Sequence, residues 1–294
     1  MNIVNSAVQS AGMVSSPVNP SLLNNITTAT NASCSFSTHP TQASGEGNCL
    51  RVCHFNANSL RTRIETLRLF LSRNPLYHII AISETKLGPI VDDTIVMLDG
   101  YNLLRQDRKT NGGGVALFVH NSLSVNRLCS SEGKWSGKPG VPEYLFCEVS
   151  SSSLTPVFVG VVYRPPHAPF LTESNFIPDL VDHMHNYSTK IITSDFNADQ
   201  LSESVDANFL RNLTHENSLT SIPFGATYHT STSDSALDLC FVDSNDLVIE
   251  HWKTDVPFAD GHDLISASIK SSIILPHLVI SHFVTSSPLI LSQL

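Results

Sequence analysis

Eight short runs of β-branched and aromatic residues punctuate the chain between Arg51 and Ile269: RVCHF, HIIAIS, GVALFVH, YLFCEVS, VFVGVVY, KIITS, LDLCFV and DLISASI. Each is strand-length, and runs such as HIIAI leave almost no polar face, so they suit strands covered on both sides. Two segments between them repeat at helical spacing instead: Leu60, Ile64, Leu67 and Leu71 in SLRTRIETLRLFLSRN, and Phe176, Leu180 and Met184 in SNFIPDLVDHMHNY. Many strands with a few interspersed helices predict an α/β (α+β) sandwich of sheets flanked by helices. Asn111-Gly112-Gly113-Gly114 reads as a hairpin-type turn, and Tyr163-Arg164-Pro165-Pro166 stops a strand, because proline cannot extend a ladder.

The ends of these runs carry the chemistry. KIITS breaks into Asp195, Phe196 and Asn197, and an unpaired carboxylate beside a core costs several kcal/mol or shifts its pKa. RVCHF ends in Asn56, Ala57 and Asn58, HIIAIS in Glu84 and Thr85, and VFVGVV in Tyr163 and Arg164. Asp238 opens LDLCFV after Thr227 and Ser235, and His262 precedes DLISASI. Singly, each has a plain structural reading as a turn, cap or surface residue. Jointly, polar residues at successive strand ends mark one rim of a layered fold, where ligand clefts form. Glu84 is a hard oxygen ligand for a divalent cation, with Asn56 or Asn58 to complete the shell. Asp238 and His262 suit a carboxylate–imidazole dyad, Asp195 a base that positions water, and Asn197 a donor to a phosphate oxygen. The sum is metal-assisted phosphodiester hydrolysis.

Bulk properties set the frame. In 294 residues the hydrophobic fraction is 41%, enough for a substantial core, and the formal charge of -9 speaks against a chain that coats nucleic acid generally. Basic residues nevertheless gather from Arg51 to Lys109, which allows one basic face on an acidic body. The cysteines form no CxxC or zinc-like pattern, so a reducing, intracellular compartment is expected. Residues 1–48 are rich in Ser, Asn and Thr and read as a disordered leader without a secretory signal. The apolar tail 272–294 is interrupted by Pro276, His277, His282 and Pro288, so no membrane span is expected.

From about Arg51 to Ile269 the pieces FNANSL, ISETKL, GGGVALFV, VVYRPP, SDFNAD, SALDLCFV and GHDLI stand in one order. In that order they resemble the endonuclease/exonuclease/phosphatase superfamily, and more narrowly the apurinic-type endonuclease domain of non-LTR retrotransposons. The resemblance implies a four-layer sandwich of two mostly antiparallel β-sheets flanked by helices, over residues 49–271. It implies a Mg²⁺ (or Mn²⁺) cofactor with Asn56, Glu84 and Asn58 on the metal side. Catalytic places fall to Tyr163, Asp195, Asn197, Asp238 and His262, and substrate contacts to Arg164, Thr227 and Ser235. Two departures stand out: Ser194 replaces the glycine before Asp195, and Gly261 replaces the aspartate before His262. The implied activity is nicking of duplex DNA to prime reverse transcription. Its partners would be duplex DNA and a reverse transcriptase domain on a longer or separate chain, with nuclear access. An abasic-site repair enzyme, another phosphatase of the same fold and a catalytically impaired remnant are the alternatives.

Overall fold

Alternation at period two sorts the side chains of every central strand between two environments. The computed structural model describes residues 49–270 apart from 75, 109–111, 132–139, 153, 169 and 171–174; the expected leader and apolar tail lie outside these residues. The strands run β1 (Cys49–Asn56), β2 (Ile79–Ser83), β3 (Tyr101–Gln106), β4 (Val115–His120), β5 (Ser124–Ser130), β6 (Glu143–Ser151) and β7 (Leu154–Tyr163). They continue with β8 (Thr189–Asp195), β9 (Thr220–Ser221), β10 (Tyr228–His229), β11 (Asp234–Ser235), β12 (Asp238–Val242), β13 (Val248–Asp255) and β14 (Asp263–Lys270). The helices are α1 (Leu60–Leu71), α2 (Phe176–Met184) and α3 (Val205–Glu216).

Two six-stranded sheets form, ordered β13-β14-β1-β2-β4-β3 and β5-β6-β7-β8-β12-β9, with β10 and β11 as a separate ribbon. Each large sheet holds one parallel pair, β1 with β2 and β7 with β8, and is otherwise antiparallel, as expected. Both parallel pairs enclose a helix in their crossover, α1 in the first and α2 in the second, which is how parallel strands are joined.

Val52, Ile79, Ala81 and Leu117 of the first sheet meet Val159, Val161, Ile191 and Cys240 of the second in the inter-sheet core. The intervening residues face outward. Phe55, Ile80 and Ile82 pack on Leu60, Ile64 and Leu67 of α1. On the other side Phe146, Phe158 and Phe241 pack with Phe176, Leu180 and Met184 of α2 and Leu210 and Leu213 of α3. The result is helix, sheet, sheet, helix, with each fully buried large apolar side chain contributing about 1.5–3 kcal/mol.

The apolar runs did not mark α3. Its signal lies at its start, where Ser204 accepts a hydrogen bond from the Ala207 N–H and caps the helix. Edge strands β5 and β13 are also absent from the run pattern, because much of their surface is exposed and polar. No helix among the described residues is long and apolar enough to cross a membrane.

Candidate active site

The parity that fills the core also loads the rim. On β1, Leu50 and Val52 face the inter-sheet core, so His54 and Asn56 follow on the same side. On β8 the same step from Ile191 reaches Asp195, and on β12 the step from Cys240 back reaches Asp238. Register aligns the rest. Glu143, Tyr163, Asp195 and Asp238 are successive cross-strand partners on β6, β7, β8 and β12 and form one row across the second sheet.

Asn56 of the first sheet reaches over to this row. Its Nδ2 donates to Asp195 Oδ2 at 2.9 Å and to Glu84 Oε1 at 3.2 Å, while its Oδ1 accepts from the Asn58 N–H at 2.9 Å. Asn58, Glu84 and Asn197, which follow the ends of β1, β2 and β8, all have left-handed backbones, with φ of 41, 48 and 46°. That conformation costs a non-glycine residue roughly 1–2 kcal/mol, and strain of this kind gathers at functional sites. Asn58 Nδ2 donates to Asp260 Oδ2 at 2.6 Å, and its Oδ1 accepts from Lys86 Nζ. Lys86 also pairs with Glu84 Oε2 at 3.2 Å.

Asp195 is 1% exposed and accepts from the Asn197 N–H at 3.0 Å. Desolvation, then the charge of Asp238, raises its pKa to about 7, against opposing pulls from His262 and Asn56. His262 Nδ1 bonds Asp238 Oδ2 at 2.7 Å. Desolvation works against the charged ring, but Asp238, Asp195 and Glu84 outweigh it and raise the pKa from 6.5 to about 9. Tyr163 is pushed well above the ordinary phenol range by burial and by the nearby Glu84 carboxylate, so the hydroxyl keeps its proton.

Three carboxylates, Glu84, Asp195 and Asp238, thus share one cleft with amide oxygens beside them. That donor set is hard, oxygen-rich and mutually repulsive, and it fits a small divalent cation. Asp195, Asp238 and His262 also offer ligand atoms within 4.8 Å of one another.

The three expected substrate contacts, Arg164, Thr227 and Ser235, are each tied into the scaffold around the cleft. The guanidinium of Arg164 is buried and donates to the carbonyls of Ala168, Phe196 and Asn197 at 2.5, 3.0 and 3.1 Å, and to Asp206. These bonds hold the chain that carries Asn197. Asn197 Nδ2 in turn donates to the Arg164 carbonyl at 2.8 Å. Thr227 is buried, and its Oγ1 accepts from the N–H groups of Leu237 and Asp238 at 3.1 and 2.9 Å, which fixes the start of β12. Ser235 pairs with Tyr228 in the ribbon, and Tyr228 packs its ring on His262 with centroids 4.5 Å apart.

Neither sequence departure disturbs this frame. Ser194 lies within β8, between Val162 and Leu239 of its neighbours. Gly261 has φ +86°, and a Cβ there would stand 3.2 Å from the His229 carbonyl oxygen. The turn therefore suits glycine, and His262 takes its carboxylate partner from Asp238. Glu143, His54 and Lys86 were not anticipated from the sequence as members of the site. Glu143 accepts from Arg108 and from the Gly114 N–H, tying the glycine-rich turn to the row.

No protein-family model and no curated protein matches the chain. Solved structures do. The endonuclease domain of TRAS1, a telomere-specific non-LTR retrotransposon, superposes with a TM-score of 0.57 at 15% identity, over 76% of this chain and 99% of that one. A 3'-5' exonuclease from Neisseria meningitidis gives 0.57 at 16% identity, over 75% and 100%. An AP endonuclease from Archaeoglobus fulgidus gives 0.55 at 12% identity, over 75% and 99%. The chain has the endonuclease/exonuclease/phosphatase fold. Within that fold, the cleft just described sits where the ends of β1, β2, β7 and β8 meet the starts of β12 and β14.

Proposed function

We propose that this endonuclease/exonuclease/phosphatase-fold protein is a divalent-metal-dependent phosphodiesterase that nicks one strand of duplex DNA. The observation that carries the reading is the double hydrogen bond of Asn56 Nδ2, to Glu84 Oε1 and to Asp195 Oδ2, which joins the candidate metal side to the candidate base. Glu84 and Asn56, with Asn58 beside them, would hold Mg²⁺ or Mn²⁺. Such an ion, when bound, supplies positive charge to a scissile phosphate.

The chain's own residues do the remainder. Asp195, raised to about 7, is poised to take a proton from an attacking water near neutral pH. His262, raised to about 9, remains an imidazolium there and faces the negative charge that develops on phosphate. Asp238 holds that ring in place through Nδ1 and leaves Nε2 for the substrate. Asn197, anchored through one N–H, keeps a second for a phosphate oxygen, and Tyr163 offers its retained proton.

The biological setting that fits is target-primed reverse transcription of a non-LTR retrotransposon. The partners are then duplex DNA and a reverse transcriptase on a longer or separate chain, with access to the nucleus. The test is relaxation of supercoiled plasmid in Mg²⁺, with and without chelator, by wild type, Asp195→Ala and His262→Ala. Metal-dependent nicking by wild type alone supports the reading, and equal nicking by all three refutes it. Cleavage of an abasic oligonucleotide far faster than intact duplex would assign the site to repair instead.

A further inference from the structure

Asp238 has a second imidazole beside it. One alternation step below Asn56, β1 turns His54 to the inner face, where the ring is fully buried. His54 Nδ1 lies 3.6 Å from Asp238 Oδ1, while His262 holds the other oxygen, Oδ2, at 2.7 Å. Neither nitrogen of His54 has a hydrogen-bond partner, and neither does Asp238 Oδ1. A potential donor and a charged acceptor, both cut off from water, face each other just beyond bonding distance. N–H···O bonds close at about 3 Å, and a buried polar group left unsatisfied costs about 1–3 kcal/mol. A small side-chain adjustment satisfies both.

We propose that His54 is a positioning residue for the cleavage: as a neutral ring protonated on Nδ1 it donates to Asp238 Oδ1, so that two imidazoles bracket one carboxylate. This rests on the nuclease reading for its consequence in turnover, but not for its structure. With Thr227 Oγ1 accepting the Asp238 N–H at 2.9 Å, backbone and both carboxylate oxygens of Asp238 are then fixed. The carboxylate has one rotamer, and His262 inherits one orientation.

The residue type matters. A lysine or arginine would supply an N–H but would also cancel the charge of Asp238, weakening its hold on a protonated His262. A neutral imidazole gives direction without charge. The space beneath the ring is lined by Val52, Thr193, Cys240, Ile265 and Ala267, and neither ring nitrogen has a hydrogen-bond partner there.

The experiment compares His54→Leu, which removes the donor, with His54→Asn, whose amide can donate from about the place of Nδ1. Both are read by plasmid nicking with varied substrate. For His54→Leu, kcat falls about tenfold with KM changed less than twofold, and His54→Asn recovers most of the loss. A purely structural role would move both variants alike with their thermal stability. Wild-type kcat in His54→Leu, or equal loss in His54→Asn, overturns the proposal. A second measurement needs neither variants nor activity: the long-range ¹H–¹⁵N imidazole spectrum of the wild-type chain. It is expected to show His54 neutral with its proton on Nδ1, and a proton on Nε2 overturns the proposal. If wild type nicks nothing, the nuclease reading fails while that spectrum still decides the bracket.

Discussion

Replacing Asp238 with asparagine removes the anion that holds the proton on His262 while keeping the shape of the side chain. In the wild type the ring is raised from 6.5 to about 9 and is 11% exposed, so the charged form gains about 3 kcal/mol from its surroundings on folding. A base whose folded pKa is raised stabilises fully below its unfolded pKa, and the gain is lost as pH rises through the folded value. The stability from His262 is therefore complete below about pH 6.5 and gone above about pH 9, with a slope approaching 1.4 kcal/mol per pH unit between them. Asp195 has the opposite charge type but the same sign of effect. Its pKa rises from 3.8 to about 7, so its protonated form stabilises at low pH and that gain is lost as pH climbs to about 7. A window from about pH 7.5 to 9.5 thus isolates His262. The assay is urea unfolding in chelator across that window, wild type against Asp238→Asn, whose difference cancels titrations the two share. The wild-type advantage is expected to shrink by about 2 kcal/mol from the low to the high end. Parallel curves would refute the dyad as the source of the shift.

Three further outcomes follow from local geometry. Gly113 has φ +63°, and a Cβ there would lie 2.6 Å from Arg108 Cζ, so Gly113→Ala is expected to lower stability by about 2 kcal/mol in thermal unfolding; Gly88→Ala, with nothing within 4 Å, should stay within about 0.5 kcal/mol. Gly261→Asp, which restores the residue of the resembling family, is expected to lower both stability and nicking, by about 1 kcal/mol and severalfold. The left-handed turn and the His229 carbonyl would push the backbone before His262 aside. Thr227→Val strands the N–H groups of Leu237 and Asp238, costing about 1–3 kcal/mol in urea unfolding and reducing nicking through the displaced carboxylate.

The layers and half of the site were legible because one property, alternation, writes both. Ile191 and Thr193 face the inter-sheet core, so Asp195 two residues on must face it too, and the abrupt end of KIITS already carried that information. Arg164 illustrates where such reading stops. Its place after Tyr163 matches a substrate contact, but only the fold brings Ala168, Phe196, Asn197 and Asp206 around its guanidinium. Helix α3 was hidden for a different reason: a cap and a few buried positions mark it, without a continuous apolar run.

Register is what a single sequence withholds, and in this molecule register makes the site. Alternation says that Asn56, Asp195 and Asp238 all point inward; it does not say that they meet. Asn56 and Asp195 touch across 139 positions of chain because β1 and β8 lie against each other at the same height, and Asp238 joins them because it pairs with Asp195 on β12. A slip of one residue in the β8–β12 pairing would turn Asp238 into the helix-covered outer layer and put Leu239 in the cleft. The apolar β12 residues Leu239 and Phe241, which pack in the outer layer, forbid that slip, since each would have to enter the inter-sheet core. The outer hydrophobic layer therefore sets the carboxylate spacing that the chemistry needs, and core substitutions such as Phe241→Ala should loosen the site from a distance.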